Sequence, residues 1–285
     1  MAIQDYPVLS EIFPGVRRLR APNPGVMTGR GTNSYLLGTE DLVAIDPGPD
    51  EPGHLRRLLE LAGANLRYVL VTHCHADHAP GATWLAAESG ATLLAYGDRP
   101  GLAPDGELRD GDLVQVEGYS LEALHTPGHS SDHLCYLLRA PDRVLPGAVL
   151  FSGDHIMGGS TVVIGPPDGD MGAYLASLER LAALQPPIAA IAPGHGEVLG
   201  DPARVLADYL EHRRQREAVV TSLLSSTPVT PGALVNTIYP ELTEALQLAA
   251  ARQIWAHLRK LGAEGVATSD APDLLEGKWS LSATR

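Results

Sequence analysis

His73-Cys74-His75-Ala76-Asp77-His78 follows directly on the apolar run Tyr68-Val69-Leu70-Val71. The run is short, continuous and β-rich, which predicts a buried strand. The imidazoles and the carboxylate therefore sit where that strand ends and the chain turns. Alternate residues of an extended chain point the same way, so His73 and His75 can converge on one ion. Asp77 and His78 lie past the turn and can face a second point nearby. Neutral imidazole and carboxylate together suit a borderline divalent ion such as zinc.

Three further clusters extend the set: His125-Thr126-Pro127-Gly128-His129, Ser152-Gly153-Asp154 and Pro193-Gly194-His195-Gly196. Each follows a strand-like segment, at Leu121 to Leu124, Val149 to Phe151 and Ile188 to Ala192. Four strand ends thus offer His and Asp residues to a common edge. Two metal ions need about eight ligand positions, which five His, two Asp and a shared water or hydroxide fill.

In this order, the motifs resemble those of the metallo-β-lactamase superfamily of hydrolases. The resemblance spans roughly residues 10 to 200 and implies an α+β fold, the αββα four-layer sandwich. It also implies ligand roles. His73, His75 and His129 would take the first ion, and Asp77, His78 and His195 the second. Asp154 would bridge, and Asp77 would also hold and orient the nucleophile. The reaction implied is hydrolysis by a hydroxide shared between two divalent transition-metal ions, Zn2+ foremost.

Branches of the superfamily differ by residue. The commonest zinc β-lactamases place Cys where Asp154 stands, and the di-iron oxygen reductases place an acidic residue where His75 stands. The thioester hydrolases acting on glutathione conjugates share all seven ligands. A closer resemblance is to the subfamily of β-lactamase-like protein two. It rests on Asn23-Pro24-Gly25, Gly31 to Leu36, Ile45-Asp46-Pro47-Gly48, Gly159-Ser160-Thr161 and His212 to Glu217. That subfamily includes endoribonucleases selective for single-stranded RNA, and its fungal relatives include thioesterases. His155 and the stretch Met27 to Gly29 depart from the pattern.

The chain has 285 residues, 44% of them hydrophobic, enough for one large domain or for a large and a small one. No run approaches the roughly 18 apolar residues of a membrane span. Met1 to Pro7 lacks the pattern of a secretory signal. Cys74 and Cys135 alone make no disulfide framework, so a cytoplasmic location is expected. A net charge of −13 argues against broad nucleic-acid binding. The charge is uneven: residues 1–200 carry −12 and residues 201–285 carry −1.

The alternation of apolar residues predicts strands at Val16 to Leu19, Ser34 to Leu37, Leu42 to Ile45, Thr92 to Ala95, Leu113 to Val116 and Leu134 to Leu138. Helices are expected at Leu55 to Leu61, Pro80 to Glu88 and Gly172 to Leu184. After residue 200 the pattern changes. A long helix, Pro202 to Leu224, precedes a helix capped by Thr230-Pro231. A third helical segment, Glu241 to Leu261, is expected to end on Gly262. Short strands at Val266 to Thr268 and Lys278 to Leu281 complete a winged-helix pattern. The expected division is a catalytic domain over 1–200 and a winged-helix-like domain over 201–285.

Lesser candidates have more than one reading. Asn33, His133 and His155 are candidates for supporting ligands or lining the pocket, and Asp132 is a further candidate for ligand support. His125 reads as a structural turn residue, Cys74 as a packed bystander, and Asp168 or Asp170 as a helix cap. His54, His212 and His257 read as surface or helix residues. Arg213 with Arg216, and Arg252 with Arg259, fall on shared helix faces. These could hold the phosphates of a single-stranded RNA, or pair with Glu211, Glu217 and the acidic body. The leading expectation is a metal-dependent endoribonuclease acting on single-stranded RNA; the alternatives are a thioester or ester hydrolase, and a metal-binding protein that docks nucleic acid through its tail.

Overall fold

The computed structural model describes residues 9–116, 118–139, 147–159 and 161–283. Met1 to Pro7 and Ser160, both used above, lie outside them. The chain forms two compact units. One gathers the described residues of Met1–Thr126, Asp132–Ser160 and Leu184–Pro202, the other those of Pro127–Ser131, Thr161–Ala183 and Ala203–Arg285. The division is not the single cut expected at residue 200.

The first unit is built on two sheets. The larger contains β1 (Leu9–Phe13), β2 (Val16–Arg20), β3 (Asn33–Leu37), β4 (Leu42–Ile45), β5 (Leu66–Leu70), β6 (Thr92–Ala95) and β7 (Gly106–Glu107), in that spatial order. The smaller contains β8 (Leu113–Val116), β9 (Tyr119–His125), β10 (Leu134–Arg139), β11 (Ala148–Gly153) and β12 (Ile188–Pro193), ordered β12-β11-β10-β9-β8. Helices α1 (Pro52–Ala62) and α2 (Pro80–Ser89) cross between β4 and β5 and between β5 and β6, and both of these strand pairs are parallel.

Period-two alternation explains the layers. On β3 and β4, Tyr35, Leu37, Val43 and Ile45 point inward, against Tyr136, Val149 and Phe151 of the other sheet. The Tyr35 and Phe151 rings meet edge-to-face at 4.9 Å. The intervening Leu36, Leu42 and Ala44 pack on Leu55, Leu58, Ala82 and Leu85 of α1 and α2. A strand covered on both faces has no polar alternation, as in β4, Leu42 to Ile45, and in the Tyr35 to Leu37 and Val69-Leu70 parts of β3 and β5. β11 and β12 are also parallel, with Gly153 beside Pro193. Asp154 and His195 therefore leave the sheet side by side.

The second unit contains α3 (Met171–Ala182), α4 (Pro202–Leu223), α5 (Pro231–Ile238), α6 (Glu244–Ala263), β13 (Ala267–Ser269) and β14 (Trp279–Leu281). α3 packs on α6, which places it with the C-terminal helices. The core is Val220, Leu234, Ile254, Trp255, Leu258 and Trp279. Thr230 caps α5, its Oγ1 accepting the Ala233 N–H at 3.3 Å. Gly262 does not end α6. The helix runs on to Ala263, and the chain turns at Gly265, whose φ of +75° suits glycine. Two strands escaped the sequence reading, β1 and β7, at the two edges of the larger sheet. No helix among the described residues is long and apolar enough to cross a membrane.

Candidate metal centre

The ligand candidates of the first unit converge at the carboxyl ends of β5, β11 and β12. His73, His75 and Asp154 offer ligand atoms within 4.8 Å of one another, and so do Asp77, His78 and His195. Asp154 also belongs near the second group. Its Oδ1 lies 3.3 Å from His78 Nε2 and 3.3 Å from His195 Nε2. Asp77 Oδ2 lies 3.0 Å from His195 Nε2 and 3.5 Å from His78 Nε2, and the two Nε2 atoms are 3.3 Å apart. With metal–nitrogen bonds of about 2.0–2.1 Å, neighbouring donors of a tetrahedron stand roughly 3.3 Å apart. The observed spacings match that edge.

Hydrogen bonding fixes which ring atoms face the centre. His78 Nδ1 lies 2.8 Å from Asp46 Oδ2. A carboxylate only accepts, so Nδ1 carries the proton and Nε2 presents its lone pair. His195 Nδ1 donates to Gly31 O at 3.5 Å, with the same result. Two imidazole lone pairs and two carboxylates thus face one point, an arrangement that calls for positive charge. The proton affinities say so as well. Burial pushes His195 down, yet Asp154 and Asp77 lift it to about 9. Burial also opposes charge on His78, but Asp154 and Asp46 hold its pKa well above the usual value. Asp77 is raised by burial and lowered more by His195 and His78, to about 2. Burial likewise works against Asp154, and His78 and His195 override it to leave its pKa well below the carboxylate range. A divalent cation satisfies the same demand, so the donor set fits a metal.

Close packing holds the edge in place. Gly194 has no alternative: a Cβ there would lie 2.7 Å from His78 Cε1 and 2.9 Å from Asp154 Oδ1. Asn33 Nδ2 donates to Pro193 O and Gly196 O, at 2.9 Å each, and so clamps the turn carrying His195. His133 Nε2 accepts the Asp154 N–H at 3.2 Å, and its Nδ1 meets Thr126 Oγ1 at 3.0 Å. Its place is therefore against the backbone of Asp154. His155 is fully buried, its ring 5.7 Å from that of His133. Cys74 packs partly into the apolar layer under α1 and α2, and its N–H donates to Asp132 Oδ2 at 3.1 Å. His125 stacks on Tyr96 at 4.2 Å.

In the second unit, His129 sits in Pro127–Ser131, with its Nδ1 donating to Val163 O at 2.8 Å. Asp170 caps α3, accepting the Ala173 N–H at 2.7 Å, whereas Asp168 accepts from Ser131 Oγ at 2.5 Å. His54 and His257 lie on helices as expected, but both are buried. Of the four arginines singled out in the tail, Arg252 is exposed and the other three are engaged. Arg213 is fully buried, and Arg216 lies over the Tyr239 ring at 4.9 Å. Arg259 pairs with Asp273, and Lys260 with Glu217 and Glu264.

Sequence reasoning missed two supports. Asp46 is buried and accepts from the Thr72 N–H and Thr72 Oγ1, both at 2.8 Å, besides His78. Its signal was a carboxylate directly after a buried strand, in Ile45-Asp46-Pro47. The other is the pair Arg18 and Arg20, which grip Glu197 at 2.7 and 2.8 Å just beyond His195.

Comparison with known proteins agrees with this geometry. Residues 27–195 match the model of the metallo-β-lactamase superfamily, and residues 230–279 that of the β-lactamase-associated winged helix domain. Lactamase-like protein aptB of Emericella nidulans is 32% identical, across 92% of this chain and 87% of its own. The β-lactamase-like protein 2 homolog of Drosophila melanogaster is 31% identical, across 91% of each. A β-lactamase domain protein of Burkholderia ambifaria superposes with a TM-score of 0.80 at 22% identity, covering 96% of this chain and 93% of that one. A metallo-β-lactamase family protein of Thermus thermophilus gives 0.77 at 22% identity, with 95% and 100% covered. The fold is that of the metallo-β-lactamases with a C-terminal winged helix, and the chain belongs to the metallo-β-lactamase superfamily of hydrolases.

Proposed function

We propose that the protein is a dinuclear metal-dependent hydrolase acting on a thioester or ester with an apolar acyl part. His73, His75 and His129 would hold one ion, Asp77, His78 and His195 the other, and Asp154 both. Zn2+ is the first choice for such nitrogen and oxygen donors. Bound divalent ions supply an acidified water and polarise the scissile group. Asp77 is ionised, and its side chain, 25% exposed, is the more open of the two carboxylates. It accepts a hydrogen bond from the attacking water and orients it. Asp46, Asn33 and His133 keep the donors in place. We also place the protein in a reducing compartment, the cytoplasm, since Cys74 and Cys135 are both thiols.

One observation carries the acyl reading. The loop between β2 and β3 is rooted on the centre and apolar at its tip. At its base, Asn23 accepts the Thr32 N–H at 2.9 Å and donates to Thr32 Oγ1 at 2.9 Å. Thr32 Oγ1 then reaches Asp77 Oδ2 at 3.4 Å. At the tip Val26 and Met27 are 75% and 53% exposed. Exposed apolar side chains at the tip of a loop whose base is tied to a polar centre suit a substrate with an apolar arm. The engagement of Arg213, Arg216 and Arg259 weighs against a continuous phosphate track, leaving Arg252 as the exposed one of the four.

The test is a hydrolysis screen with metal-analysed protein. Acyl thioesters of increasing chain length and a short unstructured RNA are offered to wild type, Asp77→Ala and Val26→Ser/Met27→Ser. Thioester turnover that rises with chain length, fails in Asp77→Ala and loses chain-length preference in the double variant is expected. Metal-dependent RNA cleavage without thioester turnover would replace this reading with the endoribonuclease.

A further inference from the structure

Arg213 of α4 is fully buried, and no carboxylate pairs with it among the described residues. Its Nη2 donates to Val162 O at 2.5 Å, while Nε and Nη1 have no hydrogen-bond partner. A guanidinium buried without a counter-charge is costly, and an apolar residue of similar volume is often the more stable choice. Its contacts show what it does there. The guanidinium carbon lies 5.2 Å from the centre of the Tyr174 ring, and the carbonyl it holds belongs to the residue before Val163.

Both contacts lead to His129. Val163 O accepts from His129 Nδ1 at 2.8 Å. Val162 O and Val163 O lie in adjacent peptide planes that meet at Val163 Cα, so with the first plane anchored only Val163's own two backbone dihedrals are left to turn the second. Tyr174 backs the other side of the histidine's turn. Gly128 has a φ of +143°, and a Cβ there would lie 2.4 Å from Tyr174 Cα. The same turn is tied to α3 by Asp170 N–H to Gly128 O, 2.8 Å, and by Ser177 Oγ to Pro127 O, 2.9 Å.

We infer that Arg213 is a positioning residue for His129, holding at once the Val162–Val163 backbone and the Tyr174 face behind Gly128. Only a planar fork can donate to a carbonyl while stacking on a ring; a lysine can do the first and not the second. Because a carbonyl only accepts, the Val163 contact fixes the Nδ1–H tautomer and leaves the lone pair on Nε2, the atom a metal would use. The first helix after the hydrolase core thereby sets the tautomer of a ligand. The inference rests on His129 being a metal ligand, and the experiment separates the two.

Two readouts are needed. Nitrogen-15 imidazole spectra of metal-free protein report the His129 tautomer. Competition with a zinc chelator reports the affinity of each ion. Arg213→Met should retain a cooperative melt, shift part of His129 to the Nε2–H tautomer, and weaken one ion about ten- to a hundredfold, as loss of outer support does. Arg213→Lys, keeping the donor to Val162 O, should recover part of both. Arg213→Gln serves in place of Arg213→Met if that variant fails to fold. Wild-type tautomer and wild-type affinity in either truncating variant overturn the positioning role. Should His129→Ala keep both ions at wild-type affinity, the ligand reading fails instead.

Discussion

Among the described residues, one cluster of charge in each unit can be set against the other, and the two are built on opposite principles. At the ends of β5, β11 and β12, Asp77, His78, Asp154 and His195 face one another with acceptor atoms 3.0 to 3.5 Å apart. In the second unit, Glu217 of α4 sits between His257 Nδ1 at 3.3 Å and Lys260 Nζ at 2.7 Å. The second cluster is closed: an acceptor lies between donors, and its charges answer each other. The first is open, because its acceptors converge and its histidines' donors are spent on Asp46 and Gly31. Composition does not distinguish them, since both mix acidic and basic groups. The direction of the lone pairs does, and it separates a metal centre from a structural ion pair.

The largest effect expected from this contrast is that of metal removal. Protein purified without chelator should carry close to two transition-metal ions per chain. A ligand that binds only the folded state at a thousand times its Kd stabilises it by about 4 kcal/mol. At roughly 2–4 °C per kcal/mol for a domain of this size, a chelator should lower Tm by about 10 °C. Asp154→Ala should reduce the content of both ions, His129→Ala mainly one. Negligible metal under replete conditions, with an unchanged melt, would break the comparison at its root.

Asp46→Asn comes next. It keeps the shape but turns the acceptor of His78 Nδ1–H into an amide that can present its nitrogen. Support of this kind is worth about ten- to a hundredfold in metal affinity. Glu217→Gln is its counterpart in the closed cluster: metal content should not change, and stability should fall by about 1 kcal/mol. If Glu217→Gln depletes metal as Asp46→Asn does, the two clusters are not independent.

His54 tests the contrast by pH. It is buried against Ser34 Oγ at 2.9 Å, and burial drives its pKa down to about 4, against the pull of Glu51. The folded pKa lies below the unfolded value of about 6.5, so the neutral ring's contribution is whole above pH 6.5. It is lost as pH falls through 6.5 toward 4, amounting to about 3 kcal/mol across that window. His54→Gln should flatten this part of the stability profile of the metal-free protein. A wild-type slope in the variant would show that His54 does not titrate there.

These contrasts also explain what was legible in the sequence. His73, His75, Asp77 and His78 could be read because they share one strand end and their spacing survives folding. Asp46 could not: it lies 32 residues from His78 in sequence and meets it only because β4 and β5 pair in parallel. Arg213 misled for a different reason. An arginine in a polar run, His212 to Glu217, reads as solvent-facing, and only the packing of α3 with the C-terminal helices buries it. β7 is two residues long and β1 is mostly half-exposed, so neither carries the apolar alternation that marks the inner strands. The cap at Thr230 was readable because its partner is three residues away. Local chemistry is written in sequence order, and support from a neighbouring strand is not.

The smallest effect belongs to Cys74, which stands between two ligand candidates yet contributes no ligand atom to either group. In an extended chain, the residue between His73 and His75 faces the other way, and the thiol packs partly against the apolar layer beneath α1 and α2. What matters at this position is the backbone, whose N–H reaches Asp132 Oδ2, and any residue but proline supplies that bond. Cys74→Ala should therefore keep metal content, chelator competition and turnover at wild-type values. It should lose at most about 1 kcal/mol, the value of one small apolar group half withdrawn from water. Cys74→Pro, which removes the N–H, should instead disturb the loop and lower metal occupancy. If Cys74→Ala alone costs an ion, sulfur belongs to the donor set, and the centre would have to be redrawn with a soft ligand on the first ion.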